Sequence, residues 1–227
     1  MSISTRVEST LLADKVHAVL HDAIMSGELP AGSRLRIRDI AEQVGTSVMP
    51  VREAIRRLEE SGLAERQPHK GAVVKELSLA ELLHVYDTRL LLEGEAARLG
   101  AAGIMADEVE SMEETYEKLR AAIKQGQIVE MLDLDEAFLA TLYRASRNPV
   151  LVSTITGLWR QCRAYKIVGA VEASTDDSLW RHQHDLLVAA RDRDGAAALA
   201  ASNESLEEAR ARIRAHLATQ AQGAAGD

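Results

Sequence analysis

Residues 26–74 read SGELPAGSRLRIRDIAEQVGTSVMPVREAIRRLEESGLAERQPHKGAVV, and this stretch decides the fold of the N-terminal part of the chain. Ile37, Ile40, Ala41 and Val44 share one face of a short helix that Gly45 stops. Ser47 stands at an N-cap position. Pro50 lies in the first turn that follows, and Val51, Ala54, Ile55 and Leu58 form the buried stripe of a helix ending at Gly62. Residues 63–67 and 71–75 read as two short strands around Pro68-His69-Lys70, a β-hairpin. Upstream, Leu12, Val16, Val19, Leu20, Ala23 and Ile24 recur at helical spacing over residues 11–26, closed by Gly27 and the Pro30-Ala31-Gly32 turn. Helix, short helix, tight turn, helix and hairpin is the order of a winged helix-turn-helix, predicted over residues 9–76.

Charge separates this segment from the rest. Residues 34–75 carry 9 basic and 6 acidic side chains, a local excess of +3 inside a chain whose formal net charge is −8. Residues 77–227 hold 16 basic and 24 acidic side chains and account for the whole deficit. A small module that meets a polyanion, joined to a larger one that does not, fits this pattern. The chain has 227 residues, enough for one large domain or two small ones, and 36 of them are Ala. With 3% aromatics and four Pro, that composition argues for a mostly α protein and against an aromatic-rich sandwich or barrel. Cys162 is the single cysteine, which excludes an internal disulfide and a Cys-based zinc site and fits a reducing cytoplasm. No apolar run approaches the ~20 residues of a membrane span. The polar stretch 1–9 lacks the apolar core of a signal peptide.

Residues 77–221 are predicted as an antiparallel bundle of six helices, over 78–102, 106–125, 128–145, 149–168, 176–191 and 195–220. Gly103, Gly126, the Asn148-Pro149 pair and Gly195 mark the boundaries. Ser78 with Glu81 three residues on is a capping-box pattern.

The chemistry of the first segment is that of groove reading. Its last helix can enter the major groove, where each base pair presents a distinct donor and acceptor pattern. Ser47 offers a hydroxyl to phosphate, and Arg52 a planar fork for guanine or phosphate. Arg56 and Arg57 follow at the flank. Lys70, beside Gly71 at the hairpin tip, can reach the DNA backbone or the minor groove. Residues 26–74 resemble the N-terminal domain of GntR-family bacterial transcription regulators. The shared positions run from Gly27, Leu29-Pro30 and Gly32 through Ser47 and Pro50-Val51-Arg52-Glu53-Ala54 to Gly62-Leu63 and Gly71. The resemblance implies that Arg38, Ser47, Arg52, Lys70 and Gly71 meet DNA. It fails at Val48 and Met49, where the family usually has Arg and Thr; these two offer only apolar contact, as to a thymine methyl. An operator other than the family's usual one is therefore expected.

LAELLHVYDTRLLLEGEAARLGA (79–101), LDLDEAFLATLYRASRNPVL (132–151) and residues 181–213 resemble the all-helical ligand-binding domain of the FadR subfamily, and six helices resemble its VanR-like branch. The resemblance implies a homodimer on a short inverted repeat of double-stranded DNA. It also implies a small organic acid inside the bundle whose binding changes the spacing or freedom of the paired DNA heads. Many members hold a divalent metal with one Asp and three His. Here Asp135 and His184 match two ligands, while the others fall at Leu139 and Ser205, so no metal and no other cofactor is expected. His182 does not rescue the site, lying two residues from His184 on another helix face. Asp135 and His184 are expected to remain as polar pocket lining. Arg89 stands where the family has an Arg facing the effector, inside a leucine-rich helix, and is expected to anchor a carboxylate; pairing with Glu93 at i,i+4 is the alternative. Trp159, Tyr165 and Trp180 are expected in the core or pocket wall, and Cys162 as a buried small residue.

An enzyme would need more. Glu81-Leu82-Leu83-His84 is one Glu-x-x-His motif of the kind that builds di-metal bundles, but no other His has Glu three positions before it. No nucleophile elbow, P-loop or dinucleotide fingerprint is present. A DNA-binding dimer that has lost its ligand is the remaining alternative.

Overall fold

The computed structural model describes residues 3–173 and 181–224 and divides into two compact units, Met1–Leu77 and Ser78–Asp227. The first unit comprises α1 (Ile3–Met25), α2 (Ile37–Gln43), α3 (Val48–Glu60), β1 (Ala64–Gln67) and β2 (Gly71–Val74). Its core joins Val16, Leu20 and Ile24 of α1 to Val51, Ala54, Ile55 and Leu58 of α3 and to Val74 of the hairpin. On α1 the buried stripe is narrower than the sequence suggests: Leu12 and Val19 are 44% and 53% exposed, because Ala13, Val16, Leu20 and Ile24 alone cover the contact. The α2–α3 turn depends on Gly45, whose φ of +66° lies in the left-handed region. Ser47 has the extended backbone of an N-cap, but its hydroxyl makes no cap hydrogen bond. The antiparallel hairpin pairs Ala64 with Val74 and Gln67 with Gly71. Residues 32–35 add a further rung, through Leu35 N–H to the Ala72 carbonyl at 2.9 Å and Val74 N–H to the Ser33 carbonyl at 2.8 Å.

The second unit comprises α4 (Leu79–Gly103), α5 (Ala106–Lys124), α6 (Ile128–Arg144), α7 (Pro149–Ala173), α8 (Arg181–Arg191) and α9 (Gly195–Ala224). The expected start of the helix at 176 lies outside the described residues, as does Trp180; α8 is described from Arg181. The Ser78 capping box is present: the Ser78 Oγ accepts from Glu81 N–H at 3.3 Å, and Glu81 accepts from Ser78 N–H at 2.9 Å. Glu81 is thereby committed to the helix start, and His84 is exposed, so the lone Glu-x-x-His motif serves α4 rather than a metal. α4 packs against α6, α7, α8 and α9. Its approach to α6 is close enough to require glycine: a Cβ on Gly100 would lie 2.1 Å from the Leu142 carbonyl oxygen. Phe138, Leu142, Tyr143, Ile155, Trp159 and Leu186 fill the centre. Among the described residues, no helix is long and apolar enough to cross a membrane.

Candidate nucleic-acid interface and effector cavity

The solvent-facing start of α3 holds Ser47, Val48, Met49 and Arg52, all exposed. Met49, at 66% exposure, is among the barest apolar side chains of this unit, which suits a surface awaiting an apolar contact. Arg38 is exposed in the first turn of α2, and Lys70 and Gly71 are exposed at the end of the hairpin turn. That turn places His69 and Gly71 at φ of +62° and +78°. Among the described residues, Arg38, Arg52 and Lys70 form no salt bridge. Arg56 and Arg57 behave differently. Arg56 is held by Glu53 and Glu60, and Arg57 reaches Asp14 of α1 at 2.5 Å and Glu53 at 3.2 Å. Arg57 thus ties α3 to α1. The two guanidiniums hold the Glu53 carboxyl down at about 2, chiefly through the hydrogen bond from Arg56.

The bundle encloses a cavity of about 140 Å³, room for several waters or one small molecule. Arg89, Asp135, Leu139 and Ser205 line it. Arg89 is 3% exposed but not alone. Its Nε donates to Glu93 Oε1 at 2.6 Å and its Nη2 to Oε2 at 3.4 Å. Glu93 also accepts from Trp159 Nε1 at 3.0 Å and from the Tyr143 hydroxyl at 3.2 Å. Burial is the largest single influence and opposes the charge on Arg89, yet Glu93 first, with Cys162 and Tyr86, together outweigh it and raise the guanidinium well above its ordinary range. The i,i+4 pair is real, and it is buried rather than superficial. Cys162, fully buried, sits 3.5 Å from Arg89 Nη1, and burial pushes its thiol up.

His184 is not where the sequence put it. It is exposed on α8, its ring 6.0 Å from that of Tyr116, and the cavity wall holds His182 and Gln183 instead. One helix residue is 100° of rotation, so a one-residue shift in register moves a side chain from wall to surface. Gln183 faces Asp135, donating from Nε2 to Oδ1 at 2.8 Å. The other oxygen, Oδ2, accepts from Lys166 of α7 at 3.3 Å. Burial alone would lower the Lys166 ammonium, but Asp135 and then Glu136 outweigh it and raise it. His182 Nε2 lies 2.9 Å from Glu208 of α9, and that contact lowers the Glu208 carboxyl. A divalent ion does not fit this donor set. Asp135 has both oxygens engaged, one of them by a cation; Leu139 is aliphatic; Ser205 offers a neutral hydroxyl.

Lys166 and Gln183 were missed in the sequence, and His182 was weighed only as a substitute metal ligand and set aside. A signal existed for Lys166, the lone charge in the run AYKIVGAV (164–171), by the same logic that singled out Arg89.

Residues 12–74 match the family of bacterial regulatory proteins named gntR, and residues 84–219 match the FCD domain. The chain belongs to the GntR family, with an FCD-type C-terminal domain. This GntR regulator is 29% identical over 180 residues, 79% of each chain, to the probable D-xylose utilization operon transcriptional repressor of Paenarthrobacter nicotinovorans. It is 25% identical over 215 residues, 94% of each chain, to the HTH-type transcriptional repressor RspR of Escherichia coli (strain K12). The solved structure of E. coli McbR/YncC superposes with a TM-score of 0.79 at 26% identity, covering 91% of this chain and 98% of that one. A GntR regulator of this type pairs a DNA-binding head with a domain that typically binds a small-molecule effector, and the family members it resembles are regulators, not enzymes.

Proposed function

We propose that the protein is a homodimeric transcription regulator that binds a short inverted repeat and changes its grip when a small carboxylate enters the bundle. The observation that carries the reading is that the exposed cations Arg38, Arg52 and Lys70 find no salt-bridge partner among the described residues, in a unit whose other arginines include a tightly paired set. Cations left hydrated in this way suit phosphate and base edges. Two-fold protein symmetry then calls for two-fold operator symmetry. Ser47, Val48, Met49 and Gly71 complete the DNA-facing set. Val48 and Met49 select an operator with apolar features, such as thymine methyl groups, at the positions they face. Arg89 and Asp135 belong to the effector wall, and six helices favour the VanR-like branch. Relatives named as repressors favour a repressor's role.

The test is fluorescence anisotropy of the full chain on the intergenic DNA beside its own gene, against a scrambled duplex, with sedimentation for the oligomeric state. Specific binding by a dimer, relieved by an organic acid, is the expected result. Equal affinity for both duplexes sinks the sequence-specific reading. A dimer that binds the operator but shows no thermal shift with any acid favours the alternative, a DNA-binding dimer without a ligand.

A further inference from the structure

The cavity's charges and its unmet hydrogen bonds together describe a ligand. Arg89 is engaged at all three nitrogens: Nε and Nη2 meet the Glu93 carboxylate and Nη1 meets the Cys162 sulfur. Lys166 is compensated more loosely. Asp135 lies at 3.3 Å and divides itself between Lys166 and Gln183. Glu136 is 3.8 Å away and belongs first to Arg163, at 3.0 Å. An ammonium has three protons, so one remains for a guest. The opposite need is also present. Gln183 Oε1 and His182 Nδ1 are buried, and neither atom has a hydrogen-bond partner among the described residues. Both residues are at least nine-tenths buried and line the cavity. An amide oxygen can only accept, so the ligand must bring a donor to Gln183. A simple carboxylate has none to give at neutral pH.

We propose that the cavity takes a hydroxyl-bearing carboxylate, whose acid group is held by Lys166 with no divalent ion and whose hydroxyl donates to Gln183. This rests on the carboxylate reading above and moves the anchor from Arg89 to Lys166. Lys166 provides the cation that a metal would otherwise supply. Asp135 keeps that ammonium protonated and fixed, and Gln183 in turn fixes Asp135. Arg89 is left as a wall whose position Glu93, Trp159 and Tyr143 determine. Leaving Gln183 Oε1 unpaired costs binding to any ligand that lacks the hydroxyl, so discrimination against deoxy acids follows directly.

The experiment is calorimetric titration of the full chain, with and without EDTA, using lactate, glycerate and gluconate. Propionate and hexanoate serve as deoxy acids, and glycerol and sorbitol as neutral controls. At least one hydroxy acid binds, unchanged by EDTA and at least about tenfold tighter than the deoxy acids. Lys166→Met weakens it by at least about tenfold, and Lys166→Arg recovers part of the loss. Gln183→Leu erases the preference for the hydroxyl. Circular dichroism of each variant reports whether the bundle is intact, and the Lys166→Arg and Gln183→Leu results decide the matter if Lys166→Met does not fold. Loss of binding in EDTA, restored by zinc or nickel, overturns the metal-free anchor. Equal binding of propionate or hexanoate overturns the hydroxyl contact. Wild-type affinity in folded Lys166→Met places the anchor elsewhere. Binding of glycerol or sorbitol alone brings down the carboxylate reading itself. Binding of nothing in the panel, with operator binding retained, overturns this inference and leaves the DNA-binding reading standing.

Discussion

In the DNA-binding unit, Arg38, Arg52 and Lys70 stand exposed and without salt bridges among the described residues, whereas in the bundle Arg89 and Lys166 are sunk against carboxylates. The difference follows from what each surface must meet. Phosphate is abundant charge delivered from outside, and a hydrated cation can wait for it at little cost. A cation inside a bundle cannot wait, because an unpaired buried charge would destabilise the fold or lose its proton. The interior site must therefore be balanced before the ligand arrives. What it can leave open is a neutral hydrogen-bonding atom, as at Gln183 Oε1, or one proton of a shared ammonium, as at Lys166.

The largest effect is expected at Arg89. Arg89→Ala strands Glu93, 1% exposed, with only Trp159 and Tyr143 as donors. A loss of about 3–5 kcal/mol in the stability of the bundle is expected in urea unfolding. Arg52→Ala, by contrast, should change stability by no more than about 0.5 kcal/mol. If the two variants unfold alike, the contrast between waiting and balanced charges is wrong. This expectation also changes how Arg89 can be tested: its truncation mixes folding with ligand binding, so Lys166 and Gln183 are the cleaner probes.

Next comes Gly100→Ala. α4 lies close to α6 at this position, and a Cβ there would meet a backbone oxygen, which cannot swing aside. Overpacking of this kind costs about 1–3 kcal/mol. The thermal midpoint should fall while the head's affinity for DNA stays put, as measured on the operator below the melting range. An unchanged midpoint would mean that the two helices can part without cost.

Much of this was legible in the sequence, and the part that was not has a common cause. Gly45, Gly62 and the Ser78–Glu81 pair set element ends locally, so α2, α3, the hairpin and the start of α4 fall close to where spacing put them. By contrast, α1 begins at Ile3 rather than 11 and α7 runs on to Ala173 rather than 168, and no glycine or proline stands beside Ile3 or Ala173 to mark the end. Arg38, Arg52 and Lys70 could be picked out because exposure of a charged residue at a helix start or hairpin tip is also a local property. The cavity is not local. Asp135, Lys166 and Gln183 come from α6, α7 and α8, and only packing brings them together. His184 illustrates the limit: helical periodicity gives the face of a helix to within a residue, and one residue separates the Asp135 contact from solvent. The alternative weighed for Arg89, pairing with Glu93, was correct in its partner; its burial comes from Tyr143 and Trp159, distant in sequence.

On the DNA side, Arg52→Ala should cost about 1–3 kcal/mol of specific affinity if the guanidinium reads a base, while Lys70→Ala should lower the salt slope by about one. Anisotropy titrations at several salt concentrations measure both. A uniform loss on operator and scrambled DNA in Arg52→Ala would assign that residue to phosphate.

The smallest effect is expected at Glu53, which lies on the exposed side of the comparison although it is paired. Its partners, Arg56 and Arg57, hold its carboxyl at about 2, below the usual 4.5. A carboxyl whose folded-state value is depressed contributes stability that is fully present above about pH 4.5 and is lost as the pH falls through about 2. Because this carboxylate faces solvent, its ion pairs are screened by salt, unlike the buried Arg89–Glu93 pair. Glu53→Gln keeps the shape and removes the charge. Unfolding of the two proteins should therefore differ slightly at neutral pH and low salt. The gap should shrink with added salt, and it should close as the pH drops through the same window. A gap that survives both acid and salt would show that Glu53 acts by packing, and the division between hydrated and balanced charges would then have to be redrawn to include α3 on the buried side.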